Sequence, residues 1–319
     1  MADTDGIPRK AVALLCMGEP MLEFNQLPRN ADGSRHYLEG FGGDTSNAAI
    51  AAARQGASVG YITALGQDMP GDAFIGLWQR EGVDTSTVRR DSRYQTGVYF
   101  VTHDSDGHHF LHYRTGSAAA RYAAADLPEA AIAAARILFV SGISQGISAS
   151  ACDAVFAAID IARRHGVKVA YDTNYRPRLW PPARAAAVMH AAMAGADYAI
   201  PGMEDVQILT GLSDPQAMLD FYLLLGCKVV LLKMGAAGAW LATHDERALI
   251  PAHPVTAVDA TGAGDAFCGS FLARILAGDP PDAAARYASV AAALKCTGYG
   301  AVGPIPHAQD VLAMLRRDE

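Results

Sequence analysis

The chain has no apolar run near the roughly 20 residues that a membrane-spanning helix needs, no excess of basic residues and no closely paired cysteines. Each absence excludes a class. Without the run, no membrane partner is expected. Lys and Arg number 26 against 33 Asp and Glu, a net charge of −7. The basic patch with which proteins hold nucleic acid is therefore not expected. The five cysteines, Cys16, Cys152, Cys227, Cys268 and Cys296, are scattered, and no Cys-x-x-Cys occurs. Reduced, mostly buried thiols in a cytoplasmic protein are the expectation. The polar, acidic start (residues 1–10) does not read as a signal peptide. Repeats, low-complexity tracts and disordered linkers are also missing. After the first apolar run the chain reads Gly18-Glu-Pro-Met-Leu-Glu23. A dinucleotide-dependent oxidoreductase would need Gly-x-Gly-x-x-Gly there, so that class fits poorly.

What is present can fill a core. Hydrophobic residues make up 51% of the 319 and charged residues 18%, enough for one large α/β domain over 1–319. Apolar runs at 11–17, 137–140, 167–171, 198–200 and 229–232 predict buried strands. Between them lie alanine-rich helices predicted at 44–55, 72–81 and 148–165, each opened by a capping residue and closed by glycine. Helices at 282–293 and 305–316 follow. Alternation of this kind predicts a mainly parallel sheet covered on both faces. One region breaks it. Residues 96–102 and 109–114 alternate as strands around Asp104-Ser-Asp-Gly107, a hairpin signal. With 24–27 and 35–39 they predict a small, mainly antiparallel sheet from segments near 24–40 and 94–115. A second hairpin is predicted at 238–244 and 247–251.

The densest chemistry lies in Asp259-Ala-Thr-Gly-Ala-Gly-Asp265, ahead of an apolar helix. Asp259 and Thr261 can cap that helix. Gly262, Ala263 and Gly264 leave backbone N–H groups open to an anion, because the first turn lacks intrahelical partners and the dipole there is positive. Asp265 beside such a site would repel the anion it attracts. The conflict is removed if the anion is a transferring phosphoryl group and Asp265 takes the proton of the attacking hydroxyl. The plain alternative is an Asp that caps its own helix. Far upstream, Gly40-Phe-Gly-Gly-Asp-Thr-Ser-Asn47 opens another helix. There Gly43 allows close approach, and Asp44 and Asn47 offer partners to hydroxyls of a polyhydroxylated ligand. An ordinary turn and N-cap would use the same residues.

The two motifs in this order resemble those of the ribokinase-like (PfkB-type) carbohydrate kinases, over nearly the whole chain. Leu65-Gly-Gln-Asp68 with Gly71, Lys233-Met-Gly-Ala-Ala-Gly238 and Gly300-Ala301 add to the likeness. The resemblance implies a three-layer α/β/α fold whose small sheet is a lid over the sugar. It implies ATP and Mg²⁺ as cofactors, and a homo-oligomer is one arrangement left open. It places the nucleotide at Lys233, Gly235, Gly238, Thr261, Gly262 and Gly264. Ser289 stands where an adenine-side Asn is expected. An Asn-x-x-Glu pattern tied to metal falls on Gly202 and Asp205, so Asp205 is the metal candidate.

Four segments narrow the substrate: Gly18-Glu-Pro-Met21, His112-Tyr-Arg-Thr-Gly-Ser-Ala-Ala119, Ser141-Gly-Ile-Ser144 and Asp172-Thr-Asn-Tyr-Arg-Pro-Arg-Leu-Trp180. They look like the 2-keto-3-deoxygluconate kinases of that family. Arginines aimed at a sugar suggest a carboxylate on it, which guanidinium binds in bidentate fashion. By this resemblance Tyr99, Arg114 and Arg176 read the acid group, with Tyr113 and Asn174 as further contacts. Arg176 and Arg178 could instead make structural ion pairs or neutralise ATP phosphate. Where the family has an aromatic pair before the lid arginine, this chain has His112-Tyr113. Kinases of fructose, ribose, 2-ketogluconate or a nucleoside remain the alternatives, and beyond them a non-catalytic sugar-binding regulator.

Overall fold

The computed structural model of the protein describes residues 11–104 and 107–317. The start at residues 1–10 lies outside them, as do Ser105 and Asp106 of the expected Asp104–Gly107 turn. The strands are β1 (Leu14–Met17), β2 (Met21–Gln26), β3 (Tyr37–Gly42), β4 (Val59–Gly66), β5 (Val88–Asp91), β6 (Gly97–Asp104) and β7 (Gly107–Tyr113). They continue with β8 (Ile137–Ser141), β9 (Lys168–Asp172), β10 (Tyr198–Ala199), β11 (Val229–Lys233), β12 (Ala239–Ala242) and β13 (Arg247–Ile250). Nine form a central sheet in the order β13-β12-β11-β10-β9-β8-β1-β4-β5. Its pairings are parallel except where β12 turns back on β11 and β13 on β12.

The strands are apolar on both faces because both faces are covered. Leu15 and Met17 of β1 join one core with Val169 and Tyr171, under the helices Ala149–Arg164 and Pro182–Met193. Leu14 and Cys16 join the other, under Asp44–Arg54, Met69–Arg80, Ala263–Ala277 and Pro281–Lys295. Successive side chains point to opposite faces, so a strand feeding two cores reads as an unbroken apolar run.

The second sheet runs β3-β2-β6-β7. Its β2–β3 and β6–β7 pairings are antiparallel and its β2–β6 pairing is parallel. Its first two strands sit several residues from the expected 24–27 and 35–39. One face carries Phe24, Tyr37, Phe100 and Tyr113, in ring contact with one another. The other carries Tyr99, Phe110 and His112, also in contact.

Other elements differ from expectation. The predicted 72–81 helix begins at Met69, because Asp68 rather than Asp72 is the cap and accepts from the Gly71 N–H. The Asp44–Arg54 helix has Gly43 at its N-cap with no side-chain cap bond. β4 and β5, and the helices Pro182–Met193, Met203–Thr210 and Pro215–Leu225, were not legible in the pattern. No helix among the described residues is long and apolar enough to cross a membrane.

Candidate active site

Two helix N-termini meet above the sheet. Gly269 is the reason they can: a Cβ there would lie 2.1 Å from the Ala48 carbonyl oxygen. Its missing side chain lets the Asp44–Arg54 and Ala263–Ala277 helices touch backbone to backbone. The Asn47 Nδ2 then donates to Asp265 Oδ2 at 2.8 Å. Asn47 is 4% exposed, and its Oδ1 is buried without a partner among the described residues. An unpaired buried acceptor is costly, and a substrate hydroxyl would satisfy it.

Asp265 is enclosed. Burial, then the charge of Asp44, pushes its carboxyl up to about 7, with the Asn47 hydrogen bond opposing. Burial also raises Asp44, and Arg176 offsets part of that. Asp44 Oδ1 accepts from the Thr45 N–H at 2.8 Å and its Oδ2 from Asn174 Nδ2 at 3.0 Å. Asn174 itself is held at φ +35, left-handed backbone that Asn tolerates better than most residues.

The anion site differs in detail from expectation. Neither Asp259 nor Thr261 caps the helix. Gly262, at φ +78, is the N-cap and makes no side-chain cap bond. Asp259 is turned to the loop instead: Oδ1 accepts from the Thr261 N–H and Oδ2 from the Gly300 N–H. Lys295, fully buried, donates to the Asp259 carbonyl at 2.7 Å. The Ala263 N–H donates to the Ala260 carbonyl, which removes it from the anion hole. The Gly264 and Asp265 N–H groups, in the helix's first turn, stay without intrahelical partners.

The other expected residues divide. Gly235, at φ +56, and Gly238, at φ +91, border the β11 end of the site. At Gly238 a Cβ would meet the Ile250 carbonyl oxygen at 2.1 Å. Ser289 lies away from any free role, its hydroxyl donating to the Pro251 carbonyl at 2.8 Å. Lys233 does not extend to the rim. Its Nζ is 2.6 Å from Asp172 Oδ2. Asp205 Oδ2 accepts from the Thr173 hydroxyl at 2.7 Å and the Tyr175 N–H at 3.1 Å, so it shapes the loop that carries Asn174 and Arg176. Burial raises its carboxyl. Among the described residues no group of three His, Cys, Asp or Glu side chains is placed to hold a metal ion.

Among the acid-reading candidates, Arg176 makes no ion pair with a described residue; its Nη1 donates to the Tyr175 carbonyl at 3.0 Å. Arg114 is already paired: Nε donates to Glu19 Oε2 at 2.8 Å, and Nη2 reaches the same oxygen. Glu19 is 1% exposed and also accepts from the Ser117 hydroxyl. For Arg114 the structural ion pair is what the fold contains. Tyr99 lies on the face of the small sheet toward Asp265 and donates to Glu23. Burial, then Glu23, raises its phenol. Tyr113 lies on the opposite face, 55% exposed and packed edge-on to Phe100; strand alternation turns it away from Tyr99 and His112. Arg178 donates to the Phe110 carbonyl at 2.9 Å and so ties the Asn174 loop to β7. His112 stacks on Tyr99, and burial followed by Arg114, Arg178 and Arg176 lowers its imidazole.

Sequence reasoning passed over Glu19, Glu23 and Asp172 as site residues. Glu19 and Asp172 each stand at the carboxyl end of a parallel strand, β1 and β9, where open α/β sheets present groups to ligands. That position was the available signal. Asp172 Oδ2 also takes the Cys268 thiol at 3.4 Å.

The chain matches the family described as pfkB family carbohydrate kinase over residues 13–308. It belongs to that family. The protein is therefore a carbohydrate kinase with the ribokinase-like fold. It is 32% identical to the 2-dehydro-3-deoxygluconokinase of Thermoproteus tenax over 96% of this chain and 94% of that one. It is 32% identical to the enzyme of the same name from Dickeya dadantii, over 93% and 97%. Among solved structures, the fructokinase of Xylella fastidiosa with bound ATP superposes with a TM-score of 0.87 at 26% identity, covering 96% of this chain and 98% of that one.

Proposed function

We propose that this carbohydrate kinase transfers the γ-phosphoryl group of ATP to the terminal hydroxyl of 2-keto-3-deoxygluconate, giving the 6-phosphate and ADP. The observation that carries the reading is Arg176. Its guanidinium makes no ion pair with a described residue and sits on the loop that also presents Asn174 to Asp44. The relatives named 2-dehydro-3-deoxygluconokinase support the substrate.

Asp265 accepts the proton of the terminal hydroxyl as its oxygen attacks the γ-phosphorus. The bond to the β,γ-bridging oxygen breaks and ADP leaves. The Gly264 and Asp265 N–H groups face the charge that develops on the phosphoryl oxygens. Asn47 holds the Asp265 carboxylate through Nδ2 and leaves Oδ1 for a sugar hydroxyl. Gly235 and Gly238 let backbone approach the nucleotide. Magnesium, when bound with ATP, would neutralise phosphate charge. Held mainly by phosphates, it would need only one or two protein carboxylates, and Asp205 is the candidate. The small sheet is the lid, with Tyr99 and His112 turned to the sugar.

A neutral sugar such as fructose is the second reading, favoured by one observation: Glu19 neutralises Arg114, and Glu23 holds Tyr99. A coupled ADP-release assay over keto acids and neutral sugars decides. The keto acid is expected to have the highest kcat/KM. A higher value for fructose or ribose would overturn the substrate assignment and leave the kinase intact.

A further inference from the structure

Beneath the phosphoryl site lies a charged group that the reaction above does not use. Lys233 ends β11 and Asp172 ends β9, with β10 between them. Their Nζ–Oδ2 distance is 2.6 Å, and the side chains are 17% and 4% exposed. The ammonium is 3.6 Å from Cys268 Sγ, one turn beyond Asp265 on the same helix. It also lies 3.4 Å from where a Cβ on Gly264 would stand. The pair is thus wedged under the first turn of the helix that carries Asp265, and the ammonium is held by Asp172 rather than aimed at a nucleotide.

The surroundings of Asp265 make the placement consequential. Three carboxylates, Asp44, Asp172 and Asp265, share this interior: Asp44 and Asp172 raise the affinity of Asp265 for a proton, and Asp172 raises that of Asp44. Tyr99 faces Asp265 from the lid, and Cys268 from its own helix. Lys295 faces it from the Pro281–Lys295 helix, its amine committed to the Asp259 carbonyl. Asn47 supplies a hydrogen bond without charge. Lys233 supplies charge. Burial works against that charge, but Asp172 and then Cys268 hold the amine above its usual range.

We propose that Lys233 is a positioning residue whose ammonium, clamped by Asp172, offsets the surrounding carboxylates and keeps Asp265 ionised where it must accept a proton. The pair acts as a fixed dipole, and both of its ends reach Cys268 on the helix of Asp265. Removing one member should therefore have the opposite effect from removing the other. The inference rests on Asp265 being the base.

The test is the acid limb of kcat/KM for the keto acid, with ATP kept saturating and magnesium-bound. In Lys233→Met the Asp172 charge is no longer offset, and the limb should move up by about one pH unit or more, the size of shift a close charge produces. In Asp172→Asn a repelling charge is gone, and the limb should move down. The double variant loses the dipole whole and should return toward the parent. If the limb stays in place in both single variants while stability falls, the pair is structural and the inference is overturned. If Lys233→Met raises the KM for ATP and leaves the limb unmoved, the lysine serves the nucleotide, and the inference is again overturned. Should Lys233→Met not fold, the downward shift in Asp172→Asn and the return in the double variant still decide. Failure of the base assignment looks different: the residual activity of Asp265→Asn would keep the parent's acid limb.

Discussion

The side-chain amide of Asn47 donates to the carboxylate of Asp265 at 2.8 Å, across 218 residues of chain. The bond sets one oxygen of the proposed base and opposes the burial that raises its pKa. With that carboxyl pushed up to about 7, a growing share of the enzyme holds an unproductive proton as pH falls. Activity should drop by about tenfold per pH unit well below 7. Asn47→Leu removes the opposing hydrogen bond and should move the limb up. Asn47→Asp adds a like charge and should move it further. A pH profile of kcat/KM checks both; a limb indifferent to residue 47 would mean that the acid limb belongs to another group.

Asp265→Asn keeps the helix, because Gly262 rather than Asp265 is its N-cap. Nucleotide binding should persist while kcat falls by about 10²- to 10⁴-fold, the usual contribution of a general base. Calorimetry with ADP and steady-state kinetics on the same sample separate the two. Turnover within threefold of the parent would show that the carboxylate serves structure only.

The two arginines should behave unlike each other. Arg176 makes no ion pair with a described residue, so Arg176→Ala should act on the substrate. A hydrogen bond to a charged group is worth about 1.5–3 kcal/mol, which corresponds to a rise in KM for the keto acid of roughly 10- to 150-fold. Arg114→Ala leaves Glu19 buried without its counter-charge. The cost should appear as lost stability, about 3–5 kcal/mol, seen as a lower midpoint in denaturant. An unchanged midpoint would show that Glu19 is not held by Arg114.

Gly269→Ala tests the helix contact. Its Cβ would stand 2.1 Å from the Ala48 carbonyl oxygen, backbone that cannot turn aside. Overpacking of this kind costs about 1–3 kcal/mol. It should also part Asn47 from Asp265, so kcat should fall together with Tm. A variant with lower Tm and parental kcat would separate the contact from the base.

Much of this was legible in the chain. Three of the helices were readable from caps and glycines, and Ser148 does cap Ala149–Arg164. Strands that feed two cores, such as β8 and β9, stood out as apolar runs. β4 did not, because Gly60, Thr63 and Gly66 interrupt its hydrophobic pattern although all eight residues are buried. The Met69–Arg80 helix was misplaced because Asp68 and Asp72 are equally plausible caps, and only the chosen hydrogen bond to Gly71 separates them.

The sequence alone determined that the chain alternates strand and helix, that a hairpin-rich segment breaks the alternation, and that Asp265 and Asn47 each stand at the mouth of a glycine-marked helix. These are local properties, set by periodicity and by the conformations each residue allows. Which groups meet was decided only by the tertiary structure. Arg114 and Arg176 are alike as residues, yet Glu19 claims one and leaves the other open. Tyr99 and Tyr113 belong to one small sheet, yet strand register turns them to opposite faces. Lys233 and Asp172 are 61 residues apart and become one buried pair. Long-range pairing depends on where the sheet order and helix packing place each strand end, and nothing in the neighbouring residues encodes that distance.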